Sequence, residues 1–153
     1  KLEIVDSRNL NPIGTPLPAH GGRIMDIATK GNLIATCGRL PAGSGYKAGL
    51  PLLDMFIRIF DVRTMRQLRP VTFKSGVVKL WFMPRFSSSL LLVAPNGRLN
   101  VADANDGSCD FMPFSHVHTA SHITGGASSP TGEVMAYGDN DGVLSVMMDS
   151  ENA

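Results

Sequence analysis

Three histidines, His116, His118 and His122, lie close together with Cys109 just before them. Zinc takes imidazole and thiolate donors of this kind. On a strand His116 and His118 would face the same way. The same stretch falls where an outer strand crosses to the next inner one, and a turn or loop role, rather than a metal site, is expected. Asp139-Asn140-Asp141-Gly142 opens like a calcium loop. The Glu required six residues after the Gly is missing, because position 148 is Met, so a hairpin turn is expected instead. Asp residues elsewhere recur at long, regular intervals and do not read as the carboxylate cluster of a two-metal nuclease. Gly-x-Ser-x-Gly, P-loop and His-Glu-x-x-His patterns do not occur. No catalytic, cofactor-binding or metal-binding residue is therefore expected. What remains is charge. Residues 58–85 hold seven bases (Arg58, Arg63, Arg66, Arg69, Lys74, Lys79 and Arg85) against Asp61 alone. Arg63, Arg66, Arg69, Lys74 and Arg85 are the candidate partner contacts. Basic side chains in turns can meet RNA or an acidic protein, with affinity drawn from counterion release. They can equally do no more than solvate a turn and an edge strand.

The elements that must carry these residues follow from a repeat. Phe56-Ile57-Arg58-Ile59-Phe60-Asp61 is an apolar, β-branched run ending in an aromatic-Asp pair. Leu2–Asp6, Leu99–Asp103 and, less cleanly, Leu144–Met148 have the same shape. Asp61 and Asp103 are 42 residues apart, and Asp103 and Met148 are 45 apart. A period of about 40–45 residues with such a strand resembles the WD40 blade. The predicted fold is all-β: a WD40-like β-propeller segment of about three blades plus the outer strands of a preceding blade. Leu52–Arg69 lacks Gly and Pro and would also bear a helical stripe. Its alternation and strand-forming residues favour the strand. Leu90-Leu91-Leu92-Val93-Ala94 is apolar on both pleat faces, as a strand is when its sheet is covered on both sides.

The expected divisions are 1–19 as the end of one blade, 20–74 as a blade with a Gly/Pro-rich insertion loop at 39–54, 75–115 as a blade, and 116–153 as a blade lacking its outer strand. The chain has 153 residues, 43% hydrophobic and 18% charged, with 16 Gly and ten Pro, a punctuation that suits short strands. It begins without Met and in mid-strand, as a segment cut from a longer protein would. A cut ring leaves open faces, expected to show Leu80, Phe82, Leu91 or their neighbours. No apolar run approaches the 18 or so residues of a membrane span, and no membrane partner is expected. Cys37 and Cys109 are too few for a disulfide framework and read as free thiols of a reducing compartment. The net charge of +1 hides an asymmetry. Residues 1–85 hold 13 Lys/Arg and five Asp/Glu, whereas residues 86–153 hold one and eight. Such polarity suggests a polar partner or a larger assembly.

Three runs carry a closer resemblance. They are Asp26–Gly38 (DIATKGNLIATCG), Ile59–Arg66 (IFDVRTMR), and Pro130-Thr131-Gly132-Glu133 with Ala136-Tyr137-Gly138-Asp139. In that order, across a Gly-rich insertion, they resemble the N-terminal WD40 domain of catalytic subunits of poly(A)-nuclease deadenylation complexes, over roughly residues 20–150. The resemblance implies a seven-bladed propeller. In the parent, a linker, an inactive ubiquitin-hydrolase-like domain and a DEDD-type poly(A)-specific 3′-exoribonuclease would follow. It implies a cytoplasmic, non-catalytic scaffold without a cofactor. Such a scaffold docks a pseudokinase regulatory subunit and, indirectly, poly(A) RNA bearing poly(A)-binding protein. A WD40 scaffold of another complex, in trafficking or the ubiquitin pathway and without an RNA link, is the alternative. The chain departs from WD40 pattern at the Trp of the Trp-Asp pair, replaced by Val5, Phe60, Ala102 and Met147. Gly-His survives only as His20-Gly21. The His-Ser/Thr-Asp-Trp hydrogen-bond set is therefore expected to be mostly absent, with blades held by packing.

Overall fold

The structure, a computed structural model, describes residues 1–44, 46–47, 50–109, 115–116 and 121–148. Among them there is no helix. The chain is a series of antiparallel meanders. The first sheet contains β1 (Ile24–Lys30), β2 (Leu33–Gly38) and β5 (Phe56–Asp61), with β6 (Arg66–Gln67) and β7 (Val71–Thr72) both along β5. The short pair β3 (Tyr46–Lys47) and β4 (Leu50–Pro51) lies between β2 and β5 in sequence. The second sheet orders β8 (Lys79–Phe82), β9 (Ser89–Val93), β10 (Arg98–Asp103) and β11 (Ser115–His116). The third orders β12 (Ile123–Ser128), β13 (Val134–Asp139) and β14 (Leu144–Met148). Before them, residues 2–17 fold back as a hairpin of bridges, Leu2 to Leu17 and Val5 to Pro12.

The repeated Asp ends its strand in three of the units for one reason. Its carboxylate accepts the amide two residues on: Arg8 N to Asp6 at 2.9 Å, Arg63 N to Asp61 at 2.9 Å, and Asn105 N to Asp103 at 2.7 Å. This side-chain turn stops the ladder and reverses the chain. Four residues after the Asp the backbone is left-handed each time, at Leu10 (φ 58°), Met65 (φ 52°) and Gly107 (φ 74°). That conformation costs roughly 1–2 kcal/mol for a residue with a Cβ, so Leu10 and Met65 must be held by their surroundings. Met65 is: a Cβ on Gly14 of the preceding hairpin would lie 3.3 Å from its Cε. At the next seam the sizes reverse. A Cβ on Gly107 would meet Cγ of Arg69, from the first sheet, at 3.1 Å.

Because strands alternate in direction, turns alternate between two ends of the stack. One end carries the turns after β1, β5, β8, β10 and β12. Val62 N to Asn32 O at 2.9 Å and Ala104 N to Ser88 O at 2.9 Å join them in pairs. The other end carries the crossover from the first sheet to the second and the turns after β2, β9 and β13. There the described residues of the segment 39–54, expected to be a loop, pair as in an antiparallel hairpin. Arg39 bridges Leu53, Leu40 N donates to Leu52 O at 2.9 Å, and β3 pairs β4. Its alternating pattern is hidden by Pro and Gly.

The core is interleaved between sheets. In β9, Leu90, Leu92 and Ala94 just after it face the first sheet, beside Ile57, Ile59 and Val71. Leu91 and Val93 face the third, beside Ile123 and Tyr137. All five are fully enclosed, which explains the unbroken apolar run. Each buried aliphatic side chain contributes about 1.5–3 kcal/mol. Phe60 closes a third cluster with Leu17 and Ala19. Phe56–Asp61 is thus a strand, not a helix. The open face is not at Leu80, Phe82 and Leu91, which are buried. It is on the third sheet, where Leu144, Val146 and Met148 alternate outward on β14.

Candidate docking surface

Of the five basic candidates, the fold places Arg63, Arg66 and Arg85 at the end that bears the β1–β2 and β5–β6 turns. Arg63 is fixed by its own turn: Nε and Nη2 reach the Asp61 carboxylate at 3.3 and 3.1 Å. Those hydrogen bonds hold the Asp61 carboxyl below the usual carboxylate range and raise the Arg63 guanidinium. Arg66, directly across the ladder from Asp61, is exposed and has no ion-pair partner among the described residues. Arg85 is already engaged across a seam, with Nη2 2.6 Å from Glu133 and Nε 3.0 Å from the Thr131 carbonyl. Arg69 lies along the outer edge of the first sheet against the turn at Gly107. The Asp106 carboxyl in that turn is lowered first by its hydrogen bonds with Ser108 and further by the charge of Arg69. Lys74, in the crossover to the second sheet, is at the opposite end. The five residues therefore do not form one patch.

Sequence reasoning missed two basic residues at the Arg63 end. Arg8 repeats the Arg63 arrangement on Asp6, with Nε at 3.1 Å and Nη2 at 2.9 Å. Asp6-x-Arg8 and Asp61-x-Arg63 at equivalent turns were the available signal. Lys30, the last residue of β1, sends its ammonium to the carbonyls of Met83, Pro84 and Phe86 at 2.7, 2.9 and 2.5 Å. It staples the first sheet to the β8–β9 turn of the second. Nothing in the local sequence announces a contact made more than fifty residues away. Lys79 approaches Asp26 at 3.7 Å, and the same carboxylate accepts the Leu80 amide at 3.1 Å.

At the opposite end His20 is the exception to one expectation. Its ring lies with Nδ1 3.0 Å from Asp54 Oδ2 and Nε2 3.1 Å from Thr36 Oγ1. The side chains of His20 and Asp54 are 0% and 5% exposed, and Thr36 is fully enclosed. The His-Thr-Asp set, expected to be mostly lost, is present in the first sheet. Arg58 stands across the ladder from Thr36 and 3.8 Å from Asp54. A Cβ on Gly38 would lie 2.7 Å from the His20 ring, so that glycine makes the seat. In outline a hydroxyl, an imidazole and a carboxylate form a hydrolase relay. Here all three are sealed from solvent, so no substrate carbonyl can approach Thr36, and the set ties crossover, strand and hairpin together.

Other candidates resolve in the same way. Asp139 directs one carboxylate oxygen to the amides of Asp141 and Val143 at 3.0 and 2.9 Å, as a hairpin turn requires. His122 Nδ1 lies 3.1 Å from the Pro95 carbonyl, joining third sheet to second. The backbone of His116 pairs with Arg98 inside the second sheet rather than crossing between sheets. Its side chain and all of His118 lie outside the described residues. Cys37 is buried, and burial pushes its thiol up to about 12.

Comparison with known proteins gives this architecture a family. A family model described as PAN2 N-terminal matches residues 2–148. A PAN2-PAN3 deadenylation complex catalytic subunit PAN2 from Cryptococcus neoformans var. neoformans serotype D is 34% identical over 137 residues, 90% of this chain and 11% of that protein. The corresponding Schizosaccharomyces pombe subunit is 27% identical over 134 residues, 88% of this chain and 12% of that one. The chain thus spans about a tenth of the length of these relatives. Among solved structures, the Neurospora crassa Pan2 WD40 domain superposes with a TM-score of 0.76 at 25% identity, covering 91% of this chain and 41% of that one. The Cps50 (Swd1) β-propeller domain of Myceliophteria thermophila superposes with a TM-score of 0.68 at 14% identity, covering 98% and 45%, a likeness of fold alone. With its repeated Asp turns, doubly covered strands and stacked meanders, the chain is part of a WD40 β-propeller and belongs to the PAN2 N-terminal family.

Proposed function

We propose that this chain is a non-catalytic propeller segment of a PAN2-type deadenylase subunit, and that it serves as a docking scaffold in cytoplasmic shortening of mRNA poly(A) tails. The observation that carries this is the family match across residues 2–148, which falls on the propeller. The groups that the fold brings together support it: the enclosed His20-Thr36-Asp54 set and the Asp turns hold the blades. The partner is the PAN3 subunit, a pseudokinase in this reading. Poly(A) RNA coated with its binding protein is reached through the assembled complex. The rest of the polypeptide supplies the poly(A)-specific 3′-exoribonuclease and an inactive ubiquitin-hydrolase-like domain. Arg63 and Arg66 at one end of the stack, Arg69 along its edge, and Lys74 at the other end remain the candidate contacts, with Arg85 divided between Glu133 and a partner.

The test compares the full-length polypeptide with one lacking residues 1–153, each assayed for PAN3 binding and for removal of adenosines from protein-coated and naked poly(A). Loss of PAN3 binding and of activity on coated poly(A), with naked poly(A) still degraded, supports the scaffold. Unchanged binding and activity on both substrates refutes it, as does loss of activity on naked poly(A) alone.

A further inference from the structure

We infer that Asp103 forms the charged wall of a socket for one arginine side chain of the PAN3 subunit. This rests on the scaffold function proposed above and gives it a contact. Three repeated Asp turns share a backbone and differ at one side chain. In two of them the residue two places after the Asp is an arginine that closes on the carboxylate. Arg8 reaches Asp6 with Nε at 3.1 Å and Nη2 at 2.9 Å, and Arg63 reaches Asp61 at 3.3 and 3.1 Å. In the third, Asn105 N donates to Asp103 Oδ1 at 2.7 Å and Gly107 is left-handed, so the turn itself is kept. The side chain two places on is now an uncharged amide, which has no such fork.

Beside this carboxylate is a cleft of about 140 Å³, lined by Ser89, Val101, Ala102, Asp103 and Ser108. Val101 and Ala102 can cover the apolar stem of a long basic side chain, and Asp103 can receive its head group. A carboxylate has about four lone-pair sites. Two are used here, by Asn105 N and by the Ser88 hydroxyl at 2.8 Å, and one on each oxygen remains.

No cation of this chain pairs with Asp103 among the described residues. The bases nearby are engaged elsewhere. Lys30 gives its ammonium to the carbonyls of Met83, Pro84 and Phe86, and Arg85 its guanidinium to Glu133 and Thr131 O. Arg69 meets the turn at Gly107, where its charge acts on Asp106. Arg98, the one base of residues 86–153, begins β10, which Asp103 ends. One carboxylate among hydroxyls does not make a metal centre, and no cluster of three His, Cys, Asp or Glu side chains suited to a metal occurs among the described residues. Of the organic cations, guanidinium fits best. Its planar fork binds two carboxylate oxygens at once, as Arg8 and Arg63 show, whereas an ammonium is a point charge.

The experiment uses the full-length polypeptide that carries this chain, with purified PAN3 as probe, and records a melting temperature for every variant. Asn105→Arg places the chain's own guanidinium on Asp103, in the pattern of Asp6-x-Arg8 and Asp61-x-Arg63. It should leave the melting temperature unchanged or raise it. It should also weaken PAN3 binding about tenfold, the scale of one lost bidentate contact to a charged group. Asp103→Asn, whose amide oxygen can still accept Asn105 N, should weaken binding by a similar factor. Asn105→Gln, which adds bulk without charge, should bind as the wild type does. N-acetyl-arginine amide in excess should displace PAN3 from the wild type more effectively than N-acetyl-lysine amide at the same ionic strength. Wild-type affinity in Asn105→Arg overturns the inference and leaves the scaffold function standing. Equal weakening by Asn105→Gln, or equal displacement by the two amides, does the same. No PAN3 binding by the wild type overturns both.

Discussion

Replacing His20 by Ala tests the sealed clasp most directly. The ring makes contacts with two side chains that have little else to turn to. Asp54 keeps one amide, Phe56 N at 3.0 Å on its other oxygen, and a guanidinium at 3.8 Å. Thr36 loses its hydroxyl partner inside a fully enclosed site. An orphaned buried polar group costs about 1–3 kcal/mol. The vacated ring adds a cavity beside Gly38, which has no side chain to collapse into it. These contributions overlap, so we expect about 2–4 kcal/mol in all, on the scale of orphaned polar groups beside a cavity. Thr36→Val removes only the hydroxyl and leaves Nε2 facing the residue-36 carbonyl at 3.2 Å, so about 1 kcal/mol is expected. In the His20→Ala background the same change should be neutral or stabilising, because the hydroxyl is by then a liability. The assay is urea unfolding of the complete propeller domain, followed by circular dichroism, for the two single variants and the double. A His20→Ala cost below about 0.5 kcal/mol, the size of an ordinary surface change, or strict additivity with Thr36→Val, would refute the clasp.

Ile59→Asp should cost roughly 3–5 kcal/mol, as an unpaired charge in a fully enclosed strand, while Arg58→Ala should cost about 1; equal denaturation midpoints would contradict the central position of β5. The Cys37 thiol, pushed up to about 12 by burial, should resist a maleimide at pH 8 until the protein is unfolded in urea, and mass-spectrometric labelling of Cys37 in the native state would contradict its burial. Asp61 titrates below its ordinary value because of Arg63, so its contribution to stability is complete above the normal carboxylate range and disappears as pH falls through the depressed folded value. Asp61→Asn should therefore flatten the acid limb of a melting-temperature profile, and an unaltered limb would show the pair to be inert.

The features that sequence revealed were those written locally. Asp6, Asp61 and Asp103 mark turns because the carboxylate acts on an amide two residues away. Leu90–Ala94 announces two covered faces because each residue's own polarity records its environment. The features that stayed hidden are made across distance. His20, Thr36 and Asp54 are separated by 16 and 18 residues, and the absence of a Trp in the expected pattern suggested that most of the set was gone. Phe60 stands at the Trp position and packs with Leu17 and Ala19, while the other three members survive in the first sheet. The hairpin at 39–54 shows no period because Pro and Gly interrupt its strands. The basic run looked like one surface because its members are neighbours in sequence, yet antiparallel strands carry successive turns to opposite ends. Only a fold can separate Lys74 from Arg66, or reveal that Lys30 reaches Phe86.

The seam contacts between successive units also bear on assembly order. Position eight after the repeated Asp in one unit touches position four after the Asp in the next: Gly14 meets Met65, and Arg69 meets Gly107. One seam is therefore small against large and the following seam large against small. Repeats built on a common plan are prone to dock in the wrong sequence during folding. Here a wrong neighbour is marked by volume. Arg69 brought against Met65 would place two long side chains in one slot, and Gly14 brought against Gly107 would leave the slot empty. The units are shaped alike but are not interchangeable, and the chain carries its own collation marks. Exchanging residues 14 and 69 between their units should show this as a loss of cooperative melting, with each sheet's strand pairing still intact.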